Sequence, residues 1–212
     1  MTDQNRLIFD ERPDRILPSP LVNGFLRSLG EELGQDDFQK FLKRAGMLHL
    51  VQMIESRRFI EMHASEWARL QRMIRLEDNT QAAGLLCKVG KATWPVIMRE
   101  TTFHRQVELR QASSLPVEVR RIKTLQLLAA QLRHGDGDVS VFLLGQDIIF
   151  VDRSSDTTYG INENQITLDP VCWTTVGLIQ GALEQMVGQE HHVEETTCRA
   201  KGDSACEFKI SN

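Results

Sequence analysis

No excess of positive charge marks this sequence. Its 212 residues carry 25 Lys and Arg against 29 Asp and Glu, a formal net charge of −4. That balance excludes sequence-blind nucleic-acid binding, which needs a basic surface. No segment approaches the roughly eighteen consecutive apolar residues of a membrane span, and no basic start leads into a signal-like apolar run. The expectation is therefore a cytoplasmic protein, with peripheral membrane contact left open. Internal repeats and low-complexity stretches are also missing. No glycine-rich phosphate or dinucleotide loop follows a strand, so nothing is in place to hold a hydride or electron donor. His104, His134, His191 and His192 lack a metalloprotease spacing.

What is present suits a packed core: 41% of residues are hydrophobic and 25% charged. An N-terminal arm, residues 1–20, holds a short apolar run at Arg6-Leu7-Ile8-Phe9 and closes on Pro18-Ser19-Pro20. Residues 21–138 read as helical. Phe38, Phe41, Leu42, Ala45, Leu48, Val51 and Ile54 trace one apolar stripe, and Val119, Ile122, Leu125, Leu128 and Leu132 trace another. A third helix is expected to end before Pro95. Near residue 139 the period changes to that of strands. Val139–Leu143 and Asp147–Val151 form a hairpin around Leu144-Gly145-Gln146, and Thr157–Gly160 suggests a further short strand. Asp169 and Pro170 then begin a helix to Val187, on which Gly177 and Gly181 lie one turn apart. A last hairpin, His191–Thr197 with Cys206–Ile210, completes residues 139–212. The fold class is α+β, a helical N-terminal half packed with a C-terminal antiparallel sheet and helix, all in one compact domain.

Only four cysteines occur, and their placement is informative. Cys87 stands alone in an apolar helical run without a nearby base, which reads as core. Cys172, Cys198 and Cys206 cluster in the last quarter, which in a reducing compartment favours metal ligands or buried thiols over disulfides. Cys198 and Cys206 are equidistant from Gly202 and would face each other across the last hairpin. Cys172, in the first turn of its helix, gains thiolate character from the free N–H groups there. A closed tetrahedral site needs a fourth ligand, and His191, His192, Glu194 and Glu195 are all near. Simple strand alternation favours Glu194 or His192.

The segment Glu195-Thr196-Thr197-Cys198-Arg199-Ala200-Lys201-Gly202-Asp203-Ser204-Ala205-Cys206-Glu207-Phe208, with Pro170-Val171-Cys172-Trp173 upstream, resembles the closing signature of the 4-vinyl reductase domain family. The resemblance covers residues 145 to 210. It extends to stand-alone bacteriochlorophyll-pathway members and to the ligand-sensing domain of phenol-responsive activators. It implies a homodimeric module of 4-vinyl reductase domain type with an apolar ligand pocket. It also implies a structural zinc on Cys172, Glu195, Cys198 and Cys206. Turning Glu195 inward in place of Glu194 would require a bulge.

Together these readings point to a zinc-stabilised, non-enzymatic module for a hydrophobic small molecule: phenolic, lipid-like or tetrapyrrole. Within the family's range it would be a carrier or assembly factor in bacteriochlorophyll synthesis. The alternatives are a component of tetrapyrrole vinyl reduction, or a dimeric scaffold or regulatory protein with a protein partner. Trp94, Phe103, Phe142, Phe150 and Trp173 are the candidate lining residues.

Overall fold

The computed structural model describes residues 13–55, 60–77, 79–100, 107, 111, 114–133, 138–161 and 166–211. The apolar run Arg6–Phe9 and residues Phe103, His104 and His134 lie outside these. The helices and strands used below are α1 Ser19–Leu33, α2 Gln35–Arg44, α3 His49–Glu55, α4 Ala64–Glu77, α5 Asn79–Glu100, α6 Val117–Leu132, β1 Val139–Leu144, β2 Asp147–Asp152, α7 Trp173–Val187, β3 His192–Thr197 and β4 Cys206–Ser211.

The stripe from Phe38 to Ile54 is divided between two helices. Gly46 takes a left-handed φ of 70° between α2 and α3 and turns the chain, so both halves still bury apolar faces. Helix α5, in contrast, runs through Pro95 instead of stopping before it. Proline has no N–H for the carbonyl four residues back, that of Lys91. Packing offsets this loss. Gly181 of α7 lies so close that a Cβ there would sit 2.5 Å from the Lys91 carbonyl oxygen. Gly177 stands in the same relation to the Cys87 carbonyl, and Gly90 of α5 to that of Thr174. Three glycines therefore bring α5 and α7 backbone to backbone along the centre of the molecule.

The four strands make one antiparallel sheet in the order β1-β2-β4-β3. Phe150 and Phe208 face each other across β2 and β4, edge to face at 6.1 Å, and both are fully buried. Strand β1 forms an edge and leaves Phe142, Leu143 and Leu144 exposed. Residues 156–158 form a 3-10 turn where the sequence suggests a strand, and Arg15 anchors it through a 2.6 Å ion pair with Asp156. A continuous hydrophobic core reaches from Leu17 through α1, α5 and α7 to Ile210 on β4.

Candidate metal centre and adjoining cavity

Helix α7 begins later than its Asp169-Pro170 signal suggests. Cys172 is its N-cap, because the Cys172 N–H donates to Glu195 Oε2 at 2.8 Å, out of the helix ladder. Its carbonyl already accepts from Thr175 and Val176. On β3, the register against β4 shifts between Glu195 and Thr197. That bulge breaks the two-residue alternation, so Glu195 and Cys198 share the buried side while Glu194 is exposed and pairs with Lys209. From Cys198 the chain makes a tight knuckle. Asp203 Oδ2 accepts the Cys198 N–H at 2.8 Å, Gly202 takes a φ of 93°, and the Arg199 N–H points at Cys206 Sγ, 3.4 Å away.

Four elements thus bring Cys172, Glu195, Cys198 and Cys206 together, with ligand atoms all within 4.8 Å of one another. Cys172 Sγ is 3.4 Å from Cys206 Sγ and 3.9 Å from Cys198 Sγ. Thiolates about 2.3 Å from a tetrahedral metal lie about 3.8 Å apart, so these separations suit a shared ion. A second observation agrees: Glu195 Oε1 is buried without a hydrogen-bond partner, although Oε2 has one. The cluster is able to chelate a metal ion.

Its electrostatics show what the ion would relieve. Hydrogen bonds from Cys172 and Cys206 draw the Cys198 thiol well down from its ordinary value, which favours a thiolate there. Burial pushes Cys172 well up, and burial together with the Cys198 charge raises Glu195 to about 8. Arg75 of α4 is the nearby cation. Burial lowers its pKa, while Cys172, Cys198 and Glu195 pull it back up. Cys87 stands apart, half-buried, and desolvation raises it to about 11.

Beside the cluster lies a cavity of about 950 Å³. Its walls, among the described residues, are Arg72, Arg75 and Leu76 of α4, the segment Thr167–Val171 with Ile161, Trp173 and Val176 of α7, and Val193 and Glu195 of β3. Of the five aromatic residues expected to line a pocket, Trp173 lines this one. Trp94 and Phe150 are fully buried in the core, Phe142 is half exposed on the edge strand, and Phe103 is outside the described residues. Arg75 is a site residue that the sequence reading misses. The signal is its spacing: Trp67, Gln71, Ile74 and Arg75 all fall on the buried face of α4, so two polar residues interrupt an apolar stripe. Gln71 is explained by Thr174, whose hydroxyl donates to its Oε1 at 2.9 Å.

Comparison with known proteins divides along the chain. The family model of the 4-vinyl reductase domain matches residues 167–212 only. An uncharacterized protein of Methanocaldococcus jannaschii, MJ0745, is 43% identical over 42 residues, which is 20% of this chain and 23% of that protein. The chain therefore matches less than a quarter of the length of this curated relative. Solved structures, in contrast, match nearly throughout. A protein studied for heme redox potential and porphyrin distortion superposes with a TM-score of 0.54 at 13% identity, covering 92% of this chain and 98% of that one. An oxygen-binding H-NOX domain related to soluble guanylate cyclases gives 0.52 at 11% identity, covering 91% and 92%.

These findings correct the sequence-based assignment. The fold is a helix-rich N-terminal half with a small C-terminal sheet, similar to the H-NOX fold, and not one of 4-vinyl reductase domain type. The resemblance that suggests otherwise is carried by the last hairpin and the α7 start, whereas the helical half that defines the architecture bears no such signature. Assignment of the chain as a whole to the 4-vinyl reductase family falls with it, as does a place in bacteriochlorophyll biosynthesis. No helix among the described residues is long and apolar enough to cross a membrane.

Proposed function

We propose that this protein is a non-enzymatic regulatory module. It binds a hydrophobic small molecule in the cavity beside α4, and a structural zinc on Cys172, Glu195, Cys198 and Cys206 holds that cavity's wall in place. One observation carries the reading: the cluster and the cavity are built from the same short segments. Val171 and Trp173 flank Cys172 and line the cavity, and on β3 Glu195, a member of the cluster, lines it too, next to Val193 on the same face. The donor set favours zinc, because three thiolates and a carboxylate make a closed tetrahedral site of the structural kind. With all four positions taken by protein there is no open site at which to activate water. The shared fold supports a binding role over an enzymatic one.

Heme is not part of the proposal. Among the described residues lining this cavity there is no His, Cys, Met or Tyr, the side chains that hold heme iron. The protein also forms a homodimer in this reading. Strand β1, an edge with exposed Phe142, Leu143 and Leu144, is the strand a second copy would extend.

Native mass spectrometry of protein from its own host, paired with elemental analysis, tests the whole reading. The expected result is one zinc per chain together with an organic mass that denaturation releases. Metal-free protein with the three cysteines intact would overturn the zinc assignment. A zinc-loaded chain that takes up no apolar compound would overturn the ligand-binding role.

A further inference from the structure

The cavity is not uniformly apolar, and the exception lies at its buried end. Arg75 is only 9% exposed, yet its Nη1 has no hydrogen-bond partner. A buried donor left unpaired is costly, and more so for a charged group. Arg72, one turn earlier on α4, lines the same wall. Away from them the walls are mostly apolar, through Val171, Trp173, Val176 and Val193, with Thr167, Asp169 and Glu195 the other polar residues. At the rim, Leu76 and Leu168 stand 80% and 92% exposed.

Building on the ligand-binding reading above, we propose that Arg75 is the polar anchor of this cavity. The ligand is then an elongated apolar molecule ending in one neutral oxygen acceptor, a hydroxyl or a carbonyl. The oxygen takes the free Arg75 N–H, and the apolar body covers Trp173 and Val193 and runs toward Leu76 and Leu168.

Charge selects the neutral head. A zinc ion on three thiolates and a carboxylate carries 2 − 4 = −2, which Arg72 and Arg75 already offset. Asp169 adds a negative charge on the cavity wall. A carboxylate would therefore enter a site with no spare positive charge, whereas a neutral oxygen satisfies the donor and adds none. The metal would bring charge but no acceptor of its own, and no ligand of the cluster accepts from Nη1 in this structure. The directional need of Nη1 persists when the charges balance.

Isothermal titration of the zinc-loaded full chain at neutral pH with 1-octanol, 1-chlorooctane and octanoate tests this. Octanol should bind at least about tenfold tighter than chlorooctane, the gain expected from one hydrogen bond to a charged group. It should also bind at least as tightly as octanoate. In Arg75→Met the octanol advantage should vanish while chlorooctane binding is kept. Should that variant fail to load zinc, the wild-type series still decides. Equal binding of octanol and chlorooctane would overturn the anchor and leave the apolar cavity standing, as would an advantage that survives in Arg75→Met. Tighter binding of octanoate would overturn the neutral head. Failure of all three probes would remove the ligand-binding reading itself.

Discussion

Three sulfurs in contact cannot each hold a negative charge unless a cation lies between them. In this protein the neighbouring thiols favour a thiolate at Cys198, burial pushes Cys172 up, and burial beside that charge raises Glu195 to about 8. A metal filling the site would need all four groups ionised, so its binding would release the protons still held. Cys198→Ser and Cys206→Ser should therefore each abolish stoichiometric zinc in elemental analysis. Asp203→Ala is subtler. Asp203 touches no ligand atom but fixes the knuckle through the Cys198 N–H, so its removal should weaken zinc by about ten- to a hundredfold in a chelator competition. A different residue sets a pH response. Burial lowers the pKa of His191 from its ordinary 6.5, and Arg121 pushes the same way against a hydrogen bond with the Gln189 carbonyl. The unfolded chain then binds this proton more readily than the native one, so stability falls as pH drops below about 6.5 and is unaffected above it. In His191→Gln that acid loss should shrink, read as a smaller drop in Tm between neutral and mildly acidic buffer than in the wild type. Equal drops in both proteins would exclude His191 as a source.

Two glycines show how much the element level depends on backbone approach. A Cβ at Gly177 would collide with the Cys87 carbonyl, and backbone there has no room to yield. Gly177→Ala should force α5 and α7 apart and cost about 1–3 kcal/mol or more of stability. Gly84, also on α5, meets nothing within 4 Å. Gly84→Ala should instead stabilise by about 0.5–1 kcal/mol through helix propensity alone. Urea denaturation of the two variants, side by side, separates tight packing from mere composition. The same distinction governs what is legible in the sequence. Period and punctuation reveal the β1–β2 hairpin, α6 and the last hairpin, because their signals are local. The three cysteines read as a set for the same reason, since Gly202 centres two of them. Where a tertiary contact decides, local signals fail. Alternation points to Glu194, and only the bulge against β4 turns Glu195 inward. Pro95 reads as a helix end because the packing of Gly181 on Lys91 leaves no trace in α5 itself. The overall architecture is least legible, since a recognisable hairpin says nothing about the helices packed beneath it.

At the scale of the whole molecule, two kinds of closure hold different parts together. Helices α1, α5 and α7 are joined by apolar burial and by glycine contacts that require no ion. The cluster of Cys172, Glu195, Cys198 and Cys206 joins the start of α7 to β3, β4 and the knuckle between them. Assembly tests a third surface. Native mass should be twice that of one chain, and Phe142→Ser with Leu144→Ser should return it to a single chain if β1 is the joining edge. Removing the metal should act locally. A chelator should raise hydrogen exchange in residues 166–173 and 192–211 and leave α5 protected, because the α5–α7 packing survives it. Uniform loss of protection would mean that the whole fold depends on the ion, and unchanged exchange would mean that the cluster holds none. Since Glu195 belongs to both cluster and cavity, and Val171 and Trp173 of the cavity wall flank Cys172, the two sites should be coupled. If zinc tightens ligand binding by some factor, bound ligand must tighten zinc by the same factor. Octanol should therefore shift the chelator concentration needed to strip the metal by the ratio of its affinities for the zinc-loaded and zinc-free chains. Equal octanol affinity for the zinc-loaded and zinc-free chains, and with it no shift in chelator demand, would show that the two sites are independent.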